Sequence, residues 1–169
     1  QIIGYDAIAV YVNEANPVKD LTLAQLRAAF TGEVSSWREL GGRSGRIVPC
    51  TERLESERAT LEAFRALALG DAPYGKVTER DDPADCLALV AREPGGIAAA
   101  SVAYAMPGVR AVTVEGLEPS PVHVRASRYA LTRPLLLVAR EPPKGPLAVF
   151  FDLALSPEGQ DAVARAGFV

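Results

Sequence analysis

The chain has little of what enzymes and metal sites are usually built from. Its 169 residues include one histidine and two cysteines. A cysteine nucleophile requires a nearby base, and the single histidine, His123, lies between two valines in a loop-rich stretch. We recognise no serine–histidine–acid arrangement, no cluster of metal ligands and no phosphate-binding glycine loop. The sequence therefore predicts a protein that is not an enzyme and that carries no cofactor and no metal.

A broad basic surface and a long apolar run are also missing. Lysine and arginine number 18 and aspartate and glutamate 21, which gives a net charge of −3. This balance argues against nucleic acid and anionic membranes as partners, so that any anion site must be local. No apolar run is long enough to span a bilayer, and no charged segment followed by an apolar one opens the chain. We therefore expect either that there was no signal peptide or that it has been removed.

The two cysteines, Cys50 and Cys86, are too few for a disulfide framework and too far apart in sequence for a metal knuckle. Cys50 ends a predicted strand and Cys86 lies in a predicted helix, so that the two can meet as one disulfide. The alternative is a pair of buried, unpaired thiols. The sequence leaves both possibilities open.

Strand-like and helix-like segments alternate along the chain. Residues Gln1 to Asn13 are an almost uninterrupted run of apolar, β-prone side chains, which is typical of a strand buried on both faces in the centre of a sheet. Thr22 and Gln25 have the spacing of a capping box that begins a helix, and Thr31 with Gly32 ends it. The alternation predicts the α/β class.

The second half of the chain continues this pattern. Pro83 opens an amphipathic helix that ends before Pro94. Residues 118–127 are predicted to be a proline-punctuated connection, and residues 129–141 a long apolar strand like the first. A helix is predicted over residues 147–156.

The stretch from Arg46 to Leu69 carries the candidate site. It is predicted to be a short buried strand, a polar connection and a helix, with Ser56 as the helix N-cap and Gly70 as its end. The helix would bury an apolar stripe at three- and four-residue spacing. The stripe consists of Ala59, Ala63, Phe64 and Leu67.

A helix N-terminus with arginines and hydroxyls beside it offers donors to an anion. The alternative is an ordinary capped surface helix whose arginines pair with nearby glutamates. Both interpretations stay open from the residues alone. The donors are Arg53, Ser56, Arg58 and Thr60, and the glutamates are Glu52, Glu55 and Glu57.

Several long motifs, in this order, resemble the phosphate-binding-protein family, the PstS-like substrate-binding proteins of ABC importers. The resemblance extends over essentially the whole chain, since the motifs are spread from residue 4 to residue 169. They are GYDAIAVYVNEANPV (4–18), LTLAQLRAAFTGEVSSWRELGG (21–42), PGGIAAASVAYA (94–105), YALTRPLLLV (129–138) and FFDLALSPEGQDAVARAGFV (150–169).

The resemblance implies a type II periplasmic-binding fold, in which two lobes are joined by two crossing strands. Lobe one would hold residues 1–16 and 125–169, and lobe two residues 17–124. The family also has a glycine- and serine-rich N-terminal segment that supplies the first half of lobe one, and nothing in this chain corresponds to it. We therefore expect lobe one to be incomplete.

The resemblance also implies ligand-binding residues. In the family, a loop between a strand and a helix of lobe two binds an oxyanion through an arginine and a Ser-Gly-Thr turn, and that loop corresponds to residues 53–60 here. Asp6 matches an aspartate common at the start of the family's crossing strand. The predicted ligand-binding set is Arg53, Ser56, Arg58, Thr60 and Asp6.

The Ser-Gly-Thr turn is not intact in this chain. Ala59 precedes Thr60, and Glu57 follows Ser56. Replacement of glycine hinders close approach of the backbone to a ligand, and Glu57 would repel an anion unless it is paired. These departures put the family's binding mode in doubt for this loop.

Two functions follow as expectations. The first is an extracytoplasmic protein that captures phosphate or a related oxyanion for the permease of an ABC importer and performs no chemistry on it. The second is a degenerate relative that binds no small anion and serves in sensing or protein interaction. Loss of the half-lobe would then expose a docking surface. This surface would bind another copy of the chain or a partner that completes the lobe.

Overall fold

The computed structural model of this chain describes residues 1–43, 45–56, 58–70 and 72–169. The strands within these ranges are β1 (Ile2–Asn13), β2 (Asp20–Leu21), β3 (Val48–Glu52), β4 (Thr78–Arg80), β5 (Gly96–Ser101), β6 (Val109–Val114) and β7 (Thr132–Leu136). The α-helices are α1 (Leu23–Thr31), α2 (Ala59–Phe64), α3 (Pro83–Arg92), α4 (Pro121–Arg125), α5 (Pro146–Leu155) and α6 (Pro157–Arg165).

The first strand lies in the middle of the sheet, as predicted. The strand order is β2-β6-β1-β5-β3-β4, and β7 also pairs with β1. The second half of β1 lies between β5 and β6, with Tyr11 opposite Ala98 on one side and Ala111 on the other. From Asp6 to Asn13 every residue of the strand is buried. The prediction of a central strand is therefore confirmed.

The first half of β1 pairs with a different strand. It runs antiparallel to β7, and in this register Asp6 lies directly opposite Arg133. One strand therefore joins two groups of elements, which is what a strand that crosses between two lobes does. The boundaries of the two lobes, at residues 16/17 and 124/125, stay a prediction.

The predicted capping box of α1 is confirmed. The Thr22 hydroxyl accepts from the backbone N–H of Gln25 at 3.1 Å, and the Gln25 side chain accepts from the backbone N–H of Thr22 at 2.9 Å. Gly32 ends the helix in the left-handed conformation, with a φ of 84°. The helix buries Phe30, whose ring centroid lies 4.9 Å from that of Phe64. Local sequence and long-range packing agree in this helix.

Helices cover the sheet on both sides. On one side α1, α2 and the turn that follows α2 pack on it, and Phe30 and Phe64 are buried there. On the other side α3 packs through Leu87 and Val90. Cys86 of α3 is bonded to Cys50 of β3, and their Cα atoms are 5.5 Å apart. This bond ties α3 to the strand whose last residue borders the candidate site.

Two predictions for the second half of the chain are wrong. The proline-punctuated connection contains the helix α4, because Pro121 stands at the first helical position, where its missing N–H costs nothing. The strand predicted over residues 129–141 covers only Thr132–Leu136. Tyr129, where the strand was predicted to begin, packs into the core instead. Its hydroxyl donates to the carbonyl of Ile8 at 3.0 Å.

The helix predicted over residues 147–156 is present as α5, but no residue of it is buried. Five of its large apolar side chains are exposed, whereas Phe151 is half-buried. Among the described residues, no helix is long and apolar enough to cross a membrane.

We predict that the bond between Cys50 and Cys86 stabilises the fold by about 2–4 kcal/mol, because the cross-link lowers the conformational entropy of the unfolded chain. The bond spans 36 residues. Replacement of both cysteines by alanine should lower the free energy of unfolding by at least this amount. Urea unfolding followed by circular dichroism measures it.

The reduced wild-type protein is the matched control, because it keeps both side chains and lacks only the bond. It should lose nearly as much stability as the double variant. Two reactive thiols in the denatured but unreduced protein would contradict the prediction and would favour the alternative of two buried, unpaired cysteines.

Candidate functional site

Three strands bring polar side chains to one edge of the sheet. β3 and β5 are parallel, so that their carboxyl ends, at Glu52 and Ser101, lie at the same edge. β1 is antiparallel to β5, and its register places Ile8 opposite Ser101 and Asp6 just beyond it. In α/β sheets, ligands bind in the crevice outside the carboxyl ends of the strands. This edge is the candidate functional site.

Asp6 and Arg133 form an ion pair at this edge. The Nε and Nη2 groups of Arg133 donate to Oδ2 of Asp6 at 3.0 and 2.8 Å, and the Ser101 hydroxyl donates to Oδ1 at 2.7 Å. Asp6 is completely buried, while the Arg133 side chain keeps 18% of its surface exposed. Asp6 therefore holds the guanidinium group of Arg133 through its Nε and Nη2 atoms. Part of the Arg133 side chain stays exposed.

The surroundings of Asp6 have a low polarity. The nearby phenol of Tyr11 is buried, and its burial, with a smaller effect of the Asp6 charge, raises the pKa of Tyr11 to about 12. A buried charge in such surroundings is stable only when it is paired and hydrogen-bonded. The three donors that surround Asp6 meet this requirement.

A second ion pair joins Glu52 and Arg58. The Nη1 group of Arg58 donates to Oε1 of Glu52 at 2.9 Å. The Glu52 side chain is only 7% exposed, whereas that of Arg58 is 47% exposed. Burial raises the pKa of Glu52, and the charge of Arg58 opposes this shift without cancelling it. The carboxyl group of Glu52 is therefore easier to protonate than that of an ordinary glutamate.

Both arginines line one cavity of about 440 Å³. The cavity lies between the end of β3, the start of α2 and the side chain of Arg133. Hydroxyl groups stand beside the guanidinium groups, and the walls are otherwise small or apolar. The polar lining residues are Glu52, Arg58, Thr60, Ser101, Tyr104 and Arg133.

The structure divides the predicted ligand-binding residues. Arg58 and Thr60 line the cavity. Asp6 lies behind Arg133 and is not exposed to the cavity. Arg53 and Ser56 are not among the lining residues, and Glu57 lies outside the described residues.

Arg53 is turned away from the cavity. It is exposed and pairs with Asp81, and this pairing holds the pKa of Asp81 below its usual range. Arg53 is therefore a paired surface arginine, as the alternative interpretation had it, but its partner is Asp81 and not one of the predicted glutamates. For Arg58 the pairing with Glu52 also holds, but this pair borders the cavity.

The prediction that Ser56 caps the helix is wrong. Residues Leu54–Ser56 form a separate 3₁₀ turn, and the helix begins at Ala59 with Arg58 in the N-cap position. The Arg58 side chain makes no capping hydrogen bond to this helix. The turn closes because the backbone N–H of Ser56 donates to the carbonyl of Arg53 at 3.0 Å.

The predicted apolar stripe of this helix is also partly wrong. After Phe64 the helix widens into a π-helical turn, Arg65–Leu69, which shifts the residues that face the core. Leu67 is therefore exposed, while Ala68 and Leu69 are buried. Before this turn, Ala59 of the predicted stripe is exposed and Leu61 is buried. Gly70 ends the helix in the left-handed conformation, as predicted.

Sequence reasoning missed Arg133, although a signal for it exists. Asp6 and Arg133 are isolated charges of opposite sign within two apolar segments that were both predicted to be strands. Opposite charges on paired strands stabilise each other when they lie directly opposite. The two charges thus point to the pairing of β1 with β7 and to the register found.

A family model described as a PBP superfamily domain matches residues 1–161. The phosphate-binding protein PstS of Pseudomonas aeruginosa is 27% identical over 189 aligned residues, which cover 99% of this chain and 58% of that protein. PstS of Bacillus subtilis is 28% identical over 125 residues, which cover 73% of this chain and 41% of that protein. The chain thus spans about half the length of these curated relatives.

Solved structures show the same similarity. An ABC-type phosphate transport receptor from Vibrio cholerae superposes with a TM-score of 0.89 at 22% identity, over 100% of this chain and 71% of that one. A putative phosphate ABC transporter substrate-binding protein with bound phosphate from Clostridium perfringens superposes with a TM-score of 0.84 at 32% identity, over 100% of this chain and 70% of that one. The first of these is a likeness of fold alone.

We predict that the two partners of the buried ion pair contribute unequally to the stability of the fold. Arg133→Gln should lower the free energy of unfolding more than Asp6→Asn does, because it leaves a completely buried carboxylate without its cation. Breaking a buried pair costs about 3–5 kcal/mol, and we expect Arg133→Gln to reach this range and Asp6→Asn to fall below it. Urea unfolding measures both losses.

Arg53→Ala is the control, because it breaks an exposed ion pair outside the cavity and should change the stability little. The prediction fails if Arg133→Gln and Asp6→Asn cost no more stability than Arg53→Ala does. It also fails if Asp6→Asn proves the more damaging of the two.

Proposed function

This chain belongs to the PBP superfamily, and we propose that it binds phosphate or a related oxyanion in the cavity beside Arg58 and Arg133. The predicted resemblance to PstS-like substrate-binding proteins and the predicted α/β fold are confirmed by the family match and by the similar solved structures. The relatives are named as binding proteins and not as enzymes.

The observation that carries this proposal is that two arginines line one cavity. Arg58 and Arg133 are both among its lining residues, and so is Thr60. A tetrahedral oxyanion is bound by several convergent donors, among which arginine provides geometry as well as charge. Because Asp6 already holds Arg133 in place, little side-chain entropy is lost when an anion binds to it.

The role that we propose is capture and delivery, without chemistry on the ligand. The Clostridium perfringens relative is named as a phosphate ABC transporter substrate-binding protein, and its structure contains phosphate. By this likeness the chain would act outside the cytoplasm and would deliver its ligand to an ABC-importer permease. The donors present in the cavity do not by themselves distinguish phosphate from other tetrahedral oxyanions.

A second candidate function rests on α5. We define the α5 surface as the exposed apolar side chains of this helix. Each of them is 46–66% exposed, and Leu136, the last residue of β7, and Val138 after it are exposed as well. Soluble monomers rarely expose a large contiguous apolar patch. The α5 surface consists of Leu147, Val149, Phe150, Leu153 and Leu155.

We propose that the α5 surface packs against the part of lobe one that the longer relatives have and this chain lacks. The aligned region makes up 58% of the Pseudomonas aeruginosa relative, so that the rest of that protein is large enough to cover it. If no such segment covers the surface, the second function follows. The chain would then be an interaction module that binds a protein partner or another copy of itself.

We predict that inorganic phosphate stabilises the chain and that Arg58→Ala weakens phosphate binding by about 10- to 100-fold. This factor corresponds to the loss of one hydrogen-bonded charge, worth about 1.5–3 kcal/mol. Isothermal titration calorimetry measures the affinity. Phosphate at about 100 times its Kd should raise the free energy of unfolding by about 2.7 kcal/mol, which a thermal-shift assay detects.

Arg53→Ala is the matched control for Arg58→Ala. It removes an arginine that lies five residues away and outside the cavity, and it should leave phosphate binding unchanged. Thermal-shift measurements with sulfate, molybdate and tungstate then define the anion. No shift with any of these anions would refute the first function and favour the second.

We predict that the α5 surface makes the isolated chain associate with itself as its concentration rises. Phe150→Gln should reduce this association, because the phenyl ring is 53% exposed near the middle of the helix. Sedimentation velocity over a range of concentrations measures it.

Val122→Gln is the control, because Val122 is 73% exposed on α4, outside the α5 surface. It should leave the association as it is in the wild-type chain. A chain that stays monomeric at all concentrations would contradict the prediction, because the α5 surface would then not mediate self-association.

A further inference from the structure

Glu52 and the proposed anion need the same guanidinium group. Nη1 of Arg58 donates to Oε1 of Glu52 at 2.9 Å, and both residues line the cavity. A carboxylate and a tetrahedral oxyanion have similar acceptor geometry. Glu52 therefore occupies the position of a competing ligand for Arg58.

Glu52 cannot easily move out of the way. Its backbone belongs to β3, where it pairs with Arg80 of β4, and its side chain is 7% exposed. An ionised carboxylate that loses Arg58 to an anion would stay behind as a buried, unpaired charge. Such a charge costs several kcal/mol, and neutralisation by a proton avoids this cost.

The charges of the two ion pairs at the cavity balance. Arg58 and Arg133 carry two positive charges, and Glu52 and Asp6 carry two negative ones. Asp6 accepts three hydrogen bonds, whereas the described residues give the Glu52 carboxyl group one, from Arg58. Protonation of Glu52 would leave one net positive charge for an anion.

Two other charged residues act on Glu52, and their effects on its ionisation oppose each other. Asp82, the N-cap residue of α3, opposes its ionisation, and Arg133 favours it. The phenol of Tyr74 stays neutral, because burial raises its pKa far above the neutral range. Burial outweighs the attraction to Arg58 and raises the pKa of Glu52.

We propose that anion binding in this cavity is coupled to the uptake of one proton from solvent by Glu52. This inference rests on the proposed function and adds its dependence on pH. The proton binds to the carboxylate of Glu52 and converts it into the neutral acid, with no other bond formed or broken. Arg58 is then free for the anion, and the new O–H group of Glu52 can donate to an anion oxygen.

Calorimetric titration with sulfate tests the coupling, because the charge of sulfate is constant over the range used. Titrations are made from about pH 5 to pH 8, in pairs of buffers that differ in their enthalpy of ionisation, which gives the number of protons taken up. Above the pKa of Glu52 in the free protein, the affinity should fall by up to tenfold per pH unit, the limit for one linked proton.

Glu52→Gln should abolish both the proton uptake and the slope. It should bind sulfate near neutral pH more tightly than the wild-type chain does. Glu62→Gln is the matched control, since it removes a carboxylate from another arginine, Arg65, at 2.7 Å but outside the lining of the cavity. It should leave the affinity and its pH dependence unchanged. Inorganic phosphate at one neutral pH provides a second comparison of wild type with Glu52→Gln.

Sulfate binding by the wild-type chain without proton uptake overturns the coupling and leaves the proposed function standing. Weaker binding of sulfate or phosphate by Glu52→Gln also overturns it, because Glu52 would then position Arg58 for the anion. Binding by Glu52→Gln alone near neutral pH supports the coupling. If neither protein binds sulfate at any pH or inorganic phosphate at neutral pH, the proposed function is refuted, and the inference with it.

Discussion

The pairing of Asp6 with Arg133 is the interaction on which the site depends. It joins the first half of β1 to β7, so that the segment after α4 is fixed to the central strand by charge as well as by backbone hydrogen bonds. Because Asp6 is completely buried, its charge requires Arg133 and the Ser101 hydroxyl. The same requirement holds a guanidinium group at the wall of the cavity. The stability of the fold and the proposed capture of an anion thus use one ion pair.

The two ion pairs of the site differ in a way that bears on function. Asp6 lies behind Arg133 and only positions it, whereas Glu52 lines the cavity beside Arg58 and uses its donor. The first carboxylate is compatible with a bound anion, and the second competes with it. In the function proposed here, an anion binds by an exchange of partners, and the free energy of that exchange depends on whether Glu52 is ionised. No catalytic group is needed for this, in agreement with relatives that are named as binding proteins.

The exposed apolar side chains of α5 give the other physical constraint. A helix without a buried residue gains little from the hydrophobic effect within this chain, and something else must cover it if it is to be stable. The chain spans 58% of the length of the Pseudomonas aeruginosa relative, and the proposal that a covering segment comes from the rest of such a longer protein meets this constraint. The cavity beside Arg58 and Arg133 lies next to the junction of the two strand groups.

The sequence by itself determined the features that depend on neighbouring residues or on composition. These are the buried strand β1, the capping box of α1, the α/β class and the family. Tertiary structure decided the partners of the charges: Arg133 for Asp6, Asp81 for Arg53 and Glu52 for Arg58. It also shortened the helix that Ser56 was predicted to begin. The physical reason is the separation of the interacting residues in sequence. A cap or an apolar stripe depends on residues within one or two helical turns. An ion pair between residues 127 positions apart forms only when the strands have paired in one register.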